Sequence, residues 1–339
     1  MEAYGDWTDL LPFFSGFTHS NITNHAEDDG IQSTVSPVGS PVTPQPTPVF
    51  ETFSLQLDET PHDSPGTTYF VSTAFPAHSP NYAHPTDIIL LSSDSVFFHV
   101  HRAMLQVASK LAFRIGNAMS SPEIPVIVVS EASAVLNIVL HTIYGRTCSG
   151  YSPSFEDLST AVFVLVDNDI VIEEYIASAT PLGILILTHA PRRSLEVYIL
   201  AGRHYLNNLA ITASRHLLSC NLSSITDNMA VDMGPIYLRR LFTLHSERLA
   251  SLRLVLMPPP HPHPETPACE FSEQNKVARA WALASAYLIW DSRVDLTANN
   301  IRAVITPMEE HLRCLRCREN LRSRTNTLVL QWASIKETI

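Results

Sequence analysis

Asp87-Ile-Ile-Leu-Leu-Ser-Ser-Asp-Ser-Val-Phe-Phe-His-Val-His-Arg-Ala-Met-Leu105 is the stretch whose reading decides the fold. Ile88 to Leu91 are continuously apolar, which suits a central strand buried on both faces. Ser92 to Ser95 make a polar turn. Val96, Phe98 and Val100 then alternate with Phe97, His99 and His101, the period of a half-buried strand. Further on, Ser109 is placed to cap a helix with Leu111, Ile115 and Met119 on one face. Pro125 to Val129 reads as a third strand, and a helix carrying Val135, Ile138, Val139 and Ile143 follows. The order predicts a compact α+β module.

Asp87 opening the first strand, Phe98-His99-Val100-His101-Arg102-Ala103-Met104-Leu105 entering the first helix, and Ile143-Tyr144-Gly145 ending a later one resemble the BTB/POZ domain. That family is a protein-interaction fold, a short mixed sheet covered by helices. The resemblance implies a self-associating, homodimeric adaptor with Phe97 and His101 at its interaction surface. It also implies that Asp87 and Arg102 form a charged pocket near the dimer interface. Segments at Ser194–Tyr198, Ala213–Leu217 and Ile236–Leu241 look similar to the helical extensions of BTB proteins of mushroom-forming fungi. Family members that bind the cullin scaffold carry a hydrophobic residue, any residue, then Glu before the third strand. Here Met119-Ser120-Ser121-Pro122-Glu123 places the Glu two positions late, so cullin binding is expected to be weak or absent.

The charge is unevenly placed. No Lys or Arg precedes Arg102, yet that stretch holds 12 of the 33 acidic residues, so the net charge of −11 belongs to the N-terminal arm. Nucleic-acid binding needs a basic patch to release counterions, and the balance offers none. No stretch is long and apolar enough to span a bilayer; the apolar run Ile184 to Leu187 is interrupted by Pro181 and Gly183. Five cysteines form no disulfide framework and point to reduced thiols, hence to the cytoplasm or nucleus.

These features divide the chain into a disordered, acidic, Pro/Ser/Thr-rich arm (1–84), the BTB-like domain (85–175) and an all-α extension (176–257). A Pro-rich linker (258–268), read as a stiff spacer, and a C-terminal helical region (269–339) follow. In the arm, Trp7, Leu11 and Phe14 recur at helical spacing and suggest a groove-binding recruiting peptide. In the BTB-like domain, Ser154 with Asp157 predicts a helix cap. Thr306-Pro307-Met308-Glu309 predicts the start of another helix.

No enzyme motif is present: there is no Gly-x-Ser-x-Gly, phosphate loop or His-Glu-x-x-His. His311, Cys314 and Cys317, with Cys269 upstream, are the ligand types of a structural zinc site. A helix running unbroken from Thr306 would spread the three later ligands over about 9 Å of axis, so the zinc reading requires a break there. Without one the cysteines are free helical thiols. The sequence thus favours a non-enzymatic interaction adaptor. The alternatives are a transcription-associated scaffold recruiting through the acidic aromatic N-terminus, and a zinc-stabilised helical binding protein.

Overall fold

The structure, a computed structural model, describes residues 51–52, 69–77, 84–109, 113, 124–177, 179–290 and 293–339. They form a mixed α/β molecule in two compact units. One holds the described residues from 51 to 213 together with Asp227–Gly234; the other holds Ser214–Thr226 and Pro235–Ile339.

The first unit is built on a sheet in the order β1-β2-β4-β3-β5. Its strands are β1 (Glu51–Thr52), β2 (Phe70–Val71), β3 (Ile88–Leu91), β4 (Val96–Val100) and β5 (Val126–Val128). β3 and β4 form the expected antiparallel hairpin, Ile88 facing Val100 and Leu91 facing Phe97, while β5 lies parallel to β3. The turn is pinned by Ser92, whose Oγ accepts from the Val96 N–H at 3.0 Å. Strict alternation follows from the two-residue period of a strand: Val96, Phe98 and Val100 are buried, Phe97 and His99 half-buried. β3 is central but not buried on both faces throughout; Ile88 and Leu90 are enclosed while Ile89 and Leu91 are half-buried.

Helix α1 (Arg102–Ala108) begins directly after β4 and has Ser109 as its C-cap; the helix expected over Leu111, Ile115 and Met119 lies outside the described residues. Met119 and the stretch to Glu123 lie outside the described residues, as do Trp7, Leu11 and Phe14. Helices α2 (Ser133–Ile143) and α3 (Phe155–Asp167) pack together behind the sheet. Ser154 caps α3 as expected, accepting from the Asp157 N–H at 3.1 Å. Short α4 (Ile172–Tyr175) leads to α5 (Pro181–Thr188), a helix the sequence reading treated as an interrupted apolar run. Pro181 interrupts nothing because it occupies the first turn, where its missing N–H costs no hydrogen bond. α6 (Ser194–Arg203), α7 (Asn207–Ser214) and α8 (Asp227–Met233) follow.

The second unit contains α9 (Pro235–Leu256), α10 (Phe271–Trp290), α11 (Ala298–Ile305) and α12 (Leu315–Ala333). Leu252, Leu256, Val277, Trp281, Ile301, Leu321, Leu328 and Trp332 supply its apolar core. Each such large side chain, withdrawn from water, contributes about 1.5–3 kcal/mol. The long α9 therefore belongs with the C-terminal helices rather than with the extension that was expected to end at residue 257. No described helix is long and apolar enough to cross a membrane.

Candidate metal centre

Leu256 ends α9, and its carbonyl accepts from the Trp281 indole N–H at 2.8 Å. From Met257 to Pro264 every residue is a proline or precedes one, which confines the backbone to extended, polyproline-like conformations. Such a chain turns once per three residues, and burial follows that period: Pro260 is buried, His263 and Thr266 half-buried and Cys269 buried, with the residues between them exposed. The segment is thus a strap laid on the helices, not a free spacer. Arg324 donates to the Pro258 carbonyl at 2.7 Å and also to that of Val255, its guanidinium stacked over Trp281. Asn320 donates to the His261 carbonyl at 2.8 Å. The His263 N–H donates to Oε1 of Gln274 at 2.9 Å. Gln274 is buried, and its Nε2 has no partner among the described residues.

After the strap, Thr266 and Cys269 exchange backbone hydrogen bonds across a tight turn that aims Cys269 back at the helices. Glu265 then accepts the Phe271 N–H at 3.0 Å and caps α10.

The remaining cysteines come from a chain break. Thr306–His311 is a 3-10 turn, not the start of a long helix, and Leu312 and Cys314 are extended at φ −89°, ψ 119° and φ −78°, ψ 123°. α12 begins only at Leu315, with Cys314 as its N-cap. Three arginines of α12 hold other chain segments: Arg318 donates to the Leu312 carbonyl, Arg322 pairs with Glu309, and Arg324 holds the strap. These three arginines are thus ties between chain segments rather than a purely solvated face.

These elements bring His263, Cys269, Cys314 and Cys317 together, one ligand atom from each lying within 4.8 Å of every other. His263 Nε2 stands 3.3 Å from both Cys314 Sγ and Cys317 Sγ, and Cys269 Sγ is 3.7 Å from Cys317 Sγ. A tetrahedral zinc ion with Zn–S near 2.3 Å and Zn–N near 2.0 Å sets sulfurs about 3.8 Å apart and nitrogen about 3.5 Å from sulfur. The cluster can hold a metal ion at such spacing. The other ring nitrogen of His263, Nδ1, lies 2.7 Å from the Pro264 carbonyl. Donation there fixes the proton on Nδ1 and leaves the Nε2 lone pair facing the sulfurs.

The three thiols divide sharply. The Cys317 N–H at the start of α12 holds the Cys314 thiol down at about 7, with Cys269, the Arg316 N–H and His263 also favouring its thiolate. Burial, then neighbouring Cys269, pushes Cys317 up to about 12, and burial raises Cys269. Crowded thiolates repel, and a bound cation relieves that repulsion.

His311, named in the sequence reading, is not among the four; it is exposed at the end of the 3-10 turn. His263 takes its place. The remaining expected site residues that the structure describes, Asp87, Phe97, His101 and Arg102, lie in the first unit. Asp87 accepts the backbone N–H of Arg102 at 2.7 Å, so it caps α1; no ion pair joins the two side chains among the described residues. The His101 N–H donates to the Tyr144 hydroxyl at 2.8 Å, joining the strand-to-helix step to the end of α2. Phe97, expected to be exposed, is half-buried and stacked on Tyr69 at 5.2 Å. Comparisons with family models, curated proteins and solved structures return no match.

Proposed function

We propose that this chain is a non-catalytic protein–protein interaction adaptor: a self-associating BTB-like module joined to a helical unit closed by one structural zinc ion. The observation that carries the reading is the ligand set itself. His263, Cys269, Cys314 and Cys317 offer four protein ligands at tetrahedral spacing, and a set of four leaves no coordination position for water or substrate, the mark of a structural rather than a catalytic site. Thiolate-rich donors favour zinc over harder cations. When bound, the ion would tie the Pro-rich strap to the start of α12.

Support for the module comes from the residues of the family-like motif meeting in space. Asp87 caps the helix that Arg102 opens, and His101 is bonded to Tyr144. Cullin recruitment is not part of the proposal, and neither nucleic acid nor a membrane is a proposed partner. Action inside the cell, in cytoplasm or nucleus, fits three reduced thiols held as ligands. The test is one preparation of the full chain, purified without chelator. Light scattering is expected to give a dimer and elemental analysis one zinc per chain. A monomer at high micromolar concentration rejects the adaptor, and zinc well below one per chain rejects the metal.

A further inference from the structure

The strap that carries His263 leaves two edges exposed, and the Pro259–Pro262 edge also walls a shallow cleft beside Phe271, Gln274 and Val277 of α10. With three residues per turn, Pro260 and His263 point inward, Pro258, His261 and Pro264 form one exposed edge, and Pro259 and Pro262 form the other. The Pro258 and His261 carbonyls are held by Arg324 and Asn320. Those of Pro259, Pro260 and Pro262 accept no hydrogen bond among the described residues. Pro259 and Pro262 stand at Pro-x-x-Pro spacing on a backbone already fixed in shape.

We propose that this outward face is a preformed ligand for a polyproline-reading groove on a partner protein, an aromatic-lined furrow of the SH3, WW or EVH1 kind. Such grooves seat prolines of one edge between aromatic rings and donate hydrogen bonds to exposed carbonyls. Both features stand on the strap. A free proline-rich peptide must be ordered when it binds, whereas here folding has already ordered it, which removes part of the association cost. The contacts from Arg324, Asn320 and Gln274 that hold the strap involve none of the four ligand atoms. The inference therefore deepens the adaptor reading without depending on the metal.

The test is calorimetric titration of the full chain with a panel of purified SH3, WW and EVH1 domains. At least one domain is expected to bind with a Kd in the tens of micromolar. The outward double variant Pro259→Ala/Pro262→Ala is expected to weaken that binding at least tenfold, with dimer mass unchanged. Pro41→Ala/Pro44→Ala in the N-terminal arm is expected to leave binding intact. The proposal is overturned by no domain binding below about 1 mM, or by binding that survives the strap variant and is lost in the arm variant. Should the strap variant fail to fold, the single variant Pro259→Ala in the full chain decides instead: it is expected to weaken binding, and unchanged binding overturns the proposal. Loss of self-association in wild type, by contrast, rejects only the adaptor reading.

Discussion

His263 Nε2 lies 3.3 Å from Cys314 Sγ across 51 residues of chain, and two local facts produce the contact. Alternating prolines set a three-residue period that turns His263 inward, and an extended step at Leu312–Cys314 places the Cys314 sulfur at the tip of α12.

That geometry separates the two candidate histidines. His263→Ala is expected to lower zinc content below one per chain and to reduce the unfolding temperature, while His311→Ala leaves both unchanged. Metal analysis with thermal circular dichroism reads the difference. Chelating the metal from wild type is expected to remove about 4 kcal/mol of stability relative to zinc held a thousandfold above its Kd. Equal zinc loss in both variants would sink the assignment.

Arg248 on α9 is nearly inaccessible, yet no carboxylate pairs with it among the described residues. Its Nε donates to the Val294 carbonyl at 3.0 Å, its Nη1 to those of Ile335 and Lys336, and its guanidinium lies 4.4 Å from the Trp332 ring centre. Burial lowers its pKa from the usual arginine value. Truncation would strand the buried Val294 carbonyl, at about 1–3 kcal/mol, and would also remove the packing over Trp332 and the ties to the part-buried Ile335 and Lys336 carbonyls. Arg248→Ala is thus expected to destabilise by about 3 kcal/mol or more, and Arg248→Lys by nearly as much, since an ammonium lacks the planar fork. Urea unfolding curves check this; a loss below about 1 kcal/mol for Arg248→Ala contradicts the role.

The hairpin, α2 and the Ser154 cap were legible because each follows a local period or a local cap. The ligand set was legible only in part. Cys269, Cys314 and Cys317 announced themselves by type, but His263 sat in a stretch whose prolines suggested a spacer. The signal that finds it is the three-residue period of the proline run, which turns His263 to the same side as the buried Pro260. The break at Leu312–Cys314 carries no Gly or Pro; arginines from the following helix hold it. Tertiary ties of that kind leave no mark in local pattern, and neither does the burial of Arg248 in α9.

His141 on α2 gives a pH dependence of known sign. Burial holds its imidazole below the ordinary histidine value, partly opposed by its hydrogen bond with the Asn137 carbonyl and reinforced by Arg146. In the unfolded chain the ring takes a proton near pH 6.5; in the folded protein it does so only at lower pH. Just below about 6.5 the unfolded state binds more protons, so stability falls as pH drops through that window. His141→Gln removes this contribution. The stability gap between wild type and variant is expected to narrow from about pH 7.5 to about pH 5, measured by urea unfolding. A gap that widens would reverse the assignment.

Gly183 sits in the first turn of α5, and its lack of a side chain is a packing requirement rather than a matter of backbone freedom. A Cβ built there would lie 1.9 Å from the Ala177 carbonyl oxygen and 3.0 Å from Thr180 Oγ1. That carbonyl is not free to retreat: it accepts from the Thr180 N–H at 3.0 Å and from the Thr180 hydroxyl at 2.8 Å. The same hydroxyl caps α5 by accepting the Gly183 N–H at 3.3 Å. Alanine would ordinarily favour a helix over glycine by up to about 1 kcal/mol. Here the clash must be relieved by moving the carbonyl or the helix start, which breaks the cap and its bonds. Gly183→Ala is therefore expected to destabilise the first unit by about 2 kcal/mol or more, while zinc content stays at the wild-type value because the ligands lie in the other unit. Chemical denaturation paired with metal analysis checks both halves. A variant as stable as wild type would show that the turn from Ala177 to Thr180 yields freely.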